Sequence, residues 1–315
     1  MATPVGVLRN AISYVMRTPK MYGFSDEAAE YTGQAASDVI RQELSADKPS
    51  MICRYGSNEL NCVIGYCNPP SLKNYIKYFK SEISSVGWSK NDRKNIANNA
   101  GFFPPTPDHL ARFATLMIDD MKYIDILGTC IKQELYFSEE LKHVKKIPMK
   151  DMEPFHHDDP WTDVLKYKRV LVIHPFEETI RSQFAKRKLL FERSEIFPEF
   201  DLVTIKAVQS VGNNNAGFNT WFDALEYMKS RIDHCSFDIA ILGCGAYGVP
   251  LAAHIKRIGK KAFHMGGATQ LLFGIKGARW EQWPFYQKMF NEHWIKPLPV
   301  DCPETYRKVE NGCYW

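Results

Sequence analysis

Gly243, Gly245 and Gly248 stand in the spacing G-x-G-x-x-G. Glycines so placed allow a tight turn and close approach of a ligand to the backbone. A helix starting there offers free N–H groups and a positive dipole end to an anion. Phosphate binding is the chemistry this suits, provided a strand precedes the motif and a helix follows. Both are predicted here: an apolar run from Asp238 to Leu242, then a helical pattern to Ile258. A strand–helix turn without a ligand would use the same glycines. An NAD site also needs an acidic residue at the end of the next strand, to hold the ribose. That strand, Lys261 to His264, is followed by Met265, Gly266 and Gly267. The absence of Asp or Glu counts against a dehydrogenase and leaves a nucleotide held in another way, such as a nucleotide-sugar.

Other groupings could share the work. Residues 264–280 are rich in glycine and include Gln270, Lys276, Arg279 and Trp280; two cations beside a flexible loop suit a diphosphate, because they stabilise a leaving nucleotide's charge. Trp280 or Tyr247 would stack on a base or sugar ring. Upstream, Arg54-Tyr55-Gly56-Ser57-Asn58-Glu59 follows a short apolar run, and open α/β sheets bind ligands at the carboxyl ends of their strands. Glu59 is a candidate general base or metal contact, although Ser57 as an N-cap and Glu59 in a first turn also describe a plain helix start. Asn213, Asn214 and Asn215 can line a polar pocket or form turns, and His174 ends the run RVLVIH. His156-His157-Asp158-Asp159 has metal-ligand residue types, but adjacent residues rarely face one ion; a solvated loop is the expectation.

These groups need a scaffold. Arg169–His174, 202–207, 238–242 and 261–264 read as strands, alternating with helices at 177–190, 221–232 and after Gly248. The alternation predicts an α/β fold, a Rossmann-like parallel sheet with flanking helices. The first 50 residues read as helices, with one at 25–44. A strand is predicted at 51–54, helices at 59–66, 71–86 and 108–122, and a short strand at 123–127. The Pro- and charge-rich stretch 145–161 is the expected boundary. It separates a helix-rich N-terminal region, 1–150, carrying the Arg54–Glu59 strand–turn–helix, from a Rossmann-like nucleotide-binding region, 151–315, unless the two form one continuous domain.

The 315 residues, 45% apolar with a net charge of +4, allow a sizeable core and argue against a nucleic-acid partner. No signal peptide or membrane span is apparent. Eight cysteines without a C-x-x-C pair read as reduced thiols rather than zinc ligands, which fits a cytoplasmic protein. The basic run 142–146 and the aromatic stretch 280–294 leave a peripheral membrane contact open, with a solvated helix end and a packed aromatic cluster as the plainer account.

With these residues in view, the chain resembles bacterial glycosyltransferases of the GT-D fold. That family carries an Arg-Phe-Gly-Asp-Gly-Glu type segment after an early strand, its Asp-x-Glu pair associated with metal and nucleotide-sugar binding. Arg54, Gly56 and Glu59 agree with the pattern, whereas Ser57 stands at the aspartate, which leaves metal dependence open. The strand–Gly-turn–helix–strand from Ile241 to Gly267 is similar too. The segment 168–280 also resembles proteins of bacterial polysaccharide gene clusters. The resemblance implies a nucleoside-diphosphate sugar as donor, a divalent metal (Mn or Mg) as cofactor, and a surface-glycan or lipid-linked acceptor. Another Rossmann-type nucleotide-dependent enzyme, or a non-catalytic nucleotide- or sugar-binding protein, would share most of these residues.

Overall fold

A computed structural model describes residues 23–212, 214–308 and 312–315. Asn213 and the helical reading of residues before Gly23 lie outside the described residues. In chain order the elements are α1 (Gln34–Ser45), β1 (Ser50–Cys53), α2 (Ser57–Cys67), α3 (Leu72–Phe79), α4 (Lys90–Ala100), α5 (Pro107–Met121), β2 (Ile126–Thr129), β3 (Lys145–Pro148), β4 (Arg169–His174), α6 (Glu177–Phe184), β5 (Asp201–Lys206), α7 (Trp221–Asp233), β6 (Ile239–Leu242), α8 (Gly248–Arg257) and β7 (Lys261–His264). Several short 3₁₀ turns connect them, and two single-turn α-helices, Thr269–Leu272 and Pro284–Gln287, follow β7.

The strands form one seven-stranded sheet in the order β3-β2-β1-β7-β6-β4-β5. Every pairing is parallel, with Ile52 opposite both Ile126 and Phe263. Strands from both sides of residues 149–165 therefore share one sheet. Parallel strands are covered on both faces and so are apolar throughout, and β1, β2 and β6 are buried at every residue. Alternation divides their side chains between two cores. Met51, Leu171, Ile173 and Leu242 pack under α2, α4, α5, α7 and α8. Ile52, Val170, Val172, Ile241 and Phe263 pack under α1 and the segments around Trp161, Phe273 and Trp294. The fold is Rossmann-like α/β, with a sheet between two helical layers.

Some local expectations are corrected. The helix predicted from Ser25 begins only at Gln34, because Gly33 adopts φ 56° and donates its N–H to Asp151 Oδ2 at 2.7 Å. Helix α3 ends at Phe79, followed by Ser81 at φ 63°, not at residue 86. Helix α4 has no predicted counterpart; Ser89 and Asp92 start it with a reciprocal capping box, and Gly101, at φ 74°, ends it. Lys145–Pro148, assigned to a connection, is the edge strand β3, where a terminal proline costs no interior ladder bond.

Candidate functional site

The carboxyl ends of the strands form one edge, and the topology opens two crevices there. The chain leaves β4 towards β5 but β6 towards β7, so their following loops diverge. It likewise leaves β1 towards β2, away from β7. Ligands of open α/β sheets bind at such switch points. The β4/β6 crevice is filled: the Gly243 Cα faces the His174 ring, the Gly266 carbonyl and Thr269, and a Cβ there would stand 2.8 Å from the Gly266 oxygen. His174 is buried, and its Nδ1 accepts the Phe176 N–H at 3.0 Å. Burial pushes its pKa down to about 3, so it is a neutral packing residue at pH 7.

The β1/β7 crevice holds Arg54. Its aliphatic stem crosses Gly266, where a Cβ would stand 3.2 Å from Arg54 Cδ; Gly266 also needs φ +69°, a backbone conformation that favours glycine. Arg54 Nη2 donates to Met149 Sδ, just beyond β3, at 3.4 Å. The guanidinium acts electrostatically on Cys130, Glu134 and His264. Arg54 is thus a half-buried cation at the centre of the edge, within reach of three strand ends.

Glu134 is the residue that sequence reading missed. It lies in the 3₁₀ turn Lys132–Phe137 after β2 and is 5% exposed. Thr129 donates its hydroxyl to Oε2, and the Cys130 N–H donates to Oε1 at 3.4 Å. Burial raises its pKa to about 7, although those donors and Arg54 favour the charged form. A carboxyl group poised near neutrality beside an arginine can hold or release a proton at working pH, which is what acid–base chemistry requires. The local signal was a carboxylate five residues beyond a strand-ending threonine.

The three motif glycines do different jobs. Gly243 admits His174 and the Gly266 carbonyl, and Gly248 admits the His264 ring. Gly245 is exposed, at φ +57°, and a Cβ there would meet only the Ala100 carbonyl oxygen, at 3.7 Å. It leads into α8, whose N-terminus has no side-chain cap. Gly245 is therefore the position where an anion could approach. Gly245→Ala should lower stability in urea unfolding by only about 1 kcal/mol, the cost of the left-handed conformation. A loss several times larger would show that the turn is held by contacts rather than by backbone freedom.

The other candidates are scattered. Gly56 caps α2, and the Glu59 carboxylate folds over it. Ser57 is exposed, and Asn58 lines a small recess of ≈ 20 Å³ with Asn61, Trp88, Asp92 and Asn95. Tyr247 does not offer a ring face to a ligand: it is 2% exposed and stacks on Trp221 at 4.7 Å. Trp280 is likewise enclosed. Gln270 is buried and donates to the carbonyls of Ile275 and Tyr314. Gly267 abuts the Tyr314 ring, and Arg279 lies over that same ring at 4.7 Å, one side chain from the edge. Lys276 turns instead to Phe290. Asn214 accepts the Ala216 N–H at 3.0 Å, a local turn. His157 is buried and bonded to the Asp151 carbonyl, and His156 stacks on Phe285.

Among the described residues no group of three or more His, Cys, Asp or Glu side chains converges as metal ligands. A cleft of ≈ 510 Å³ between Lys48, Lys168, Asp238 and Lys261 lies at the amino ends of the strands, opposite the edge where such folds bind ligands. No helix among the described residues is long and apolar enough to cross a membrane.

The chain matches no family model, no curated protein and no solved structure. Its architecture defines the class: a Rossmann-like parallel α/β fold, compatible with nucleotide-binding enzymes in general.

Proposed function

We propose that this chain is a glycosyltransferase, moving a sugar from a nucleoside-diphosphate sugar to a surface-glycan or lipid-linked acceptor. The observation that carries the reading is the placement, at one sheet edge, of the half-buried Arg54 cation and the buried Glu134 carboxyl, which Thr129 and the Cys130 N–H hold and on which the Arg54 charge acts. In transfer, an acceptor hydroxyl attacks the anomeric carbon and loses its proton, while the bond to the nucleoside diphosphate breaks. Glu134, deprotonated, takes that proton. Arg54 and the N–H groups around Gly245 stabilise the charge left on the diphosphate. Glu59, in the first turn of α2, stands as the second carboxylate, for the acceptor or for a donor-bound cation. Glu59 is the single carboxylate of its turn, and among the described residues no cluster of three or more metal-ligand side chains includes it.

A thermal-shift series with UDP, GDP, CDP, their sugars, NAD and NADP, each with and without manganese, tests the reading. A ligand bound only by the folded state adds about 2.7 kcal/mol of stability at a hundredfold excess over its Kd. The expected result is a raised Tm with one nucleoside diphosphate and its sugar. A shift with NAD or NADP alone, or none with any compound, would overturn the proposal. Dependence of the shift on manganese would assign a metal role to Glu59.

A further inference from the structure

Helix α3, LKNYIKYF, is built inside out. Leu72, Tyr75, Ile76 and Phe79 follow the spacing i, i+3, i+4, i+7 and form one apolar stripe. On a surface helix that stripe should face the core, yet Leu72 is 79% exposed, Tyr75 45% and Ile76 47%, and no residue of the helix is buried. The opposite side is held to the protein: Tyr78 packs on the core, and the Asn74 amide donates to the Pro69 carbonyl at 2.8 Å. The Ser71 hydroxyl accepts the Asn74 N–H and caps the first turn, so the outward orientation belongs to a well-formed helix.

The flank of the stripe is basic. Lys73 and Lys80 lie along it, and no acidic residue occurs from Ser71 to Ser81. We infer that α3 docks this chain onto an anionic membrane surface, its apolar stripe entering the interface and its lysines meeting lipid phosphates. Interfacial helices join these two features: apolar side chains reach the acyl boundary while lysine stems carry their charge out to the headgroups. A second copy of the chain fits less well. The helix is roughly 12 Å long, whereas a stable protein interface draws on roughly 20–30 residues per side. The inference is independent of the glycosyltransferase reading and uses none of its residues.

Co-sedimentation of the full chain with phosphatidylcholine vesicles, with and without phosphatidylglycerol, tests it. The protein should pellet with the anionic vesicles, less so as ionic strength rises, and remain in solution with pure phosphatidylcholine. Leu72→Ser with Ile76→Ser, and separately Lys73→Glu with Lys80→Glu, should each weaken partitioning roughly tenfold. Their Tm should be unchanged, because the outward side chains contribute little to the core. Absence of wild-type binding, or equal binding by the variants, would overturn the assignment. So would a concentration-dependent dimer in ultracentrifugation that Leu72→Ser with Ile76→Ser abolishes, since the stripe would then belong to a second copy.

Discussion

Replacing Glu134 by glutamine should cut sugar transfer by roughly 10²–10⁴-fold, the usual contribution of a positioned acid or base, while raising stability above neutral pH. Both effects come from one cause. Burial lifts the carboxyl from its ordinary value to about 7, so between about pH 4.5 and 7 the folded chain keeps a proton that the unfolded chain has released. The stability linked to that proton is fully present below the unfolded value and is lost as pH rises through about 7. Above that point the wild type carries a buried carboxylate beside Thr129 and Cys130; glutamine is neutral there and still accepts one of their hydrogen bonds. The variant should therefore match the wild type in stability below about pH 4.5 and exceed it above pH 7, by on the order of 3 kcal/mol. Wild-type turnover should rise with pH through about 7, and the variant should lose that limb. A variant with wild-type turnover and an unchanged pH–rate profile would make Glu134 a structural residue and remove it from the proposed mechanism.

The sheet was largely legible because its strands are short apolar runs bounded by turns. Arg169–His174 and Lys261–His264 were bounded to the residue, since parallel strands covered on both faces leave little room for polar residues. Elements that rely on other forces were missed. Lys145–Pro148 begins with two lysines and ends in proline, tolerable only because β3 is an edge strand. Helix α4 is mostly polar and buries only Ile96, Ala97 and Ala100, so its caps define it better than periodicity does. At the candidate site, Arg54 was visible because it follows a strand. Glu134 belongs to the same edge only through the pairing of β1 with β2, a tertiary fact that no local spacing carries. Tyr247 and Trp280 were visible as aromatic residues, but their type could not tell an open ring face from one spent on Trp221 or Tyr314.

The glycine motif held a second ambiguity, which Gly248→Ala resolves. Glycine in a phosphate turn and glycine in a helix–strand contact look alike in sequence, yet here an alanine methyl at 248 would overlap the His264 ring. That ring cannot retreat: it is enclosed between α8 and the sheet, and its Nδ1 bonds to the Leu242 carbonyl at 3.2 Å. Gly248→Ala should therefore cost about 3 kcal/mol in urea unfolding, the range for overpacking a closed core. On a His264→Ala background the same substitution should cost far less, because the methyl then enters the space the imidazole has left. A coupling of about 2 kcal/mol in the double-mutant cycle would assign the glycine to packing. Additive losses would show that Gly248 is needed for backbone conformation instead, although its φ of −60° is open to any residue. His264 also links this contact to pH. Burial, and secondarily Arg54, push its pKa down to about 3, so the stability linked to its neutral form is present above about pH 6.5 and is lost as pH falls towards 3. His264→Ala should flatten that part of the acid-unfolding limb. The third glycine then serves the nucleotide reading indirectly: it seats α8 against β7, and so fixes the exposed turn at Gly245 on the same sheet edge as Arg54.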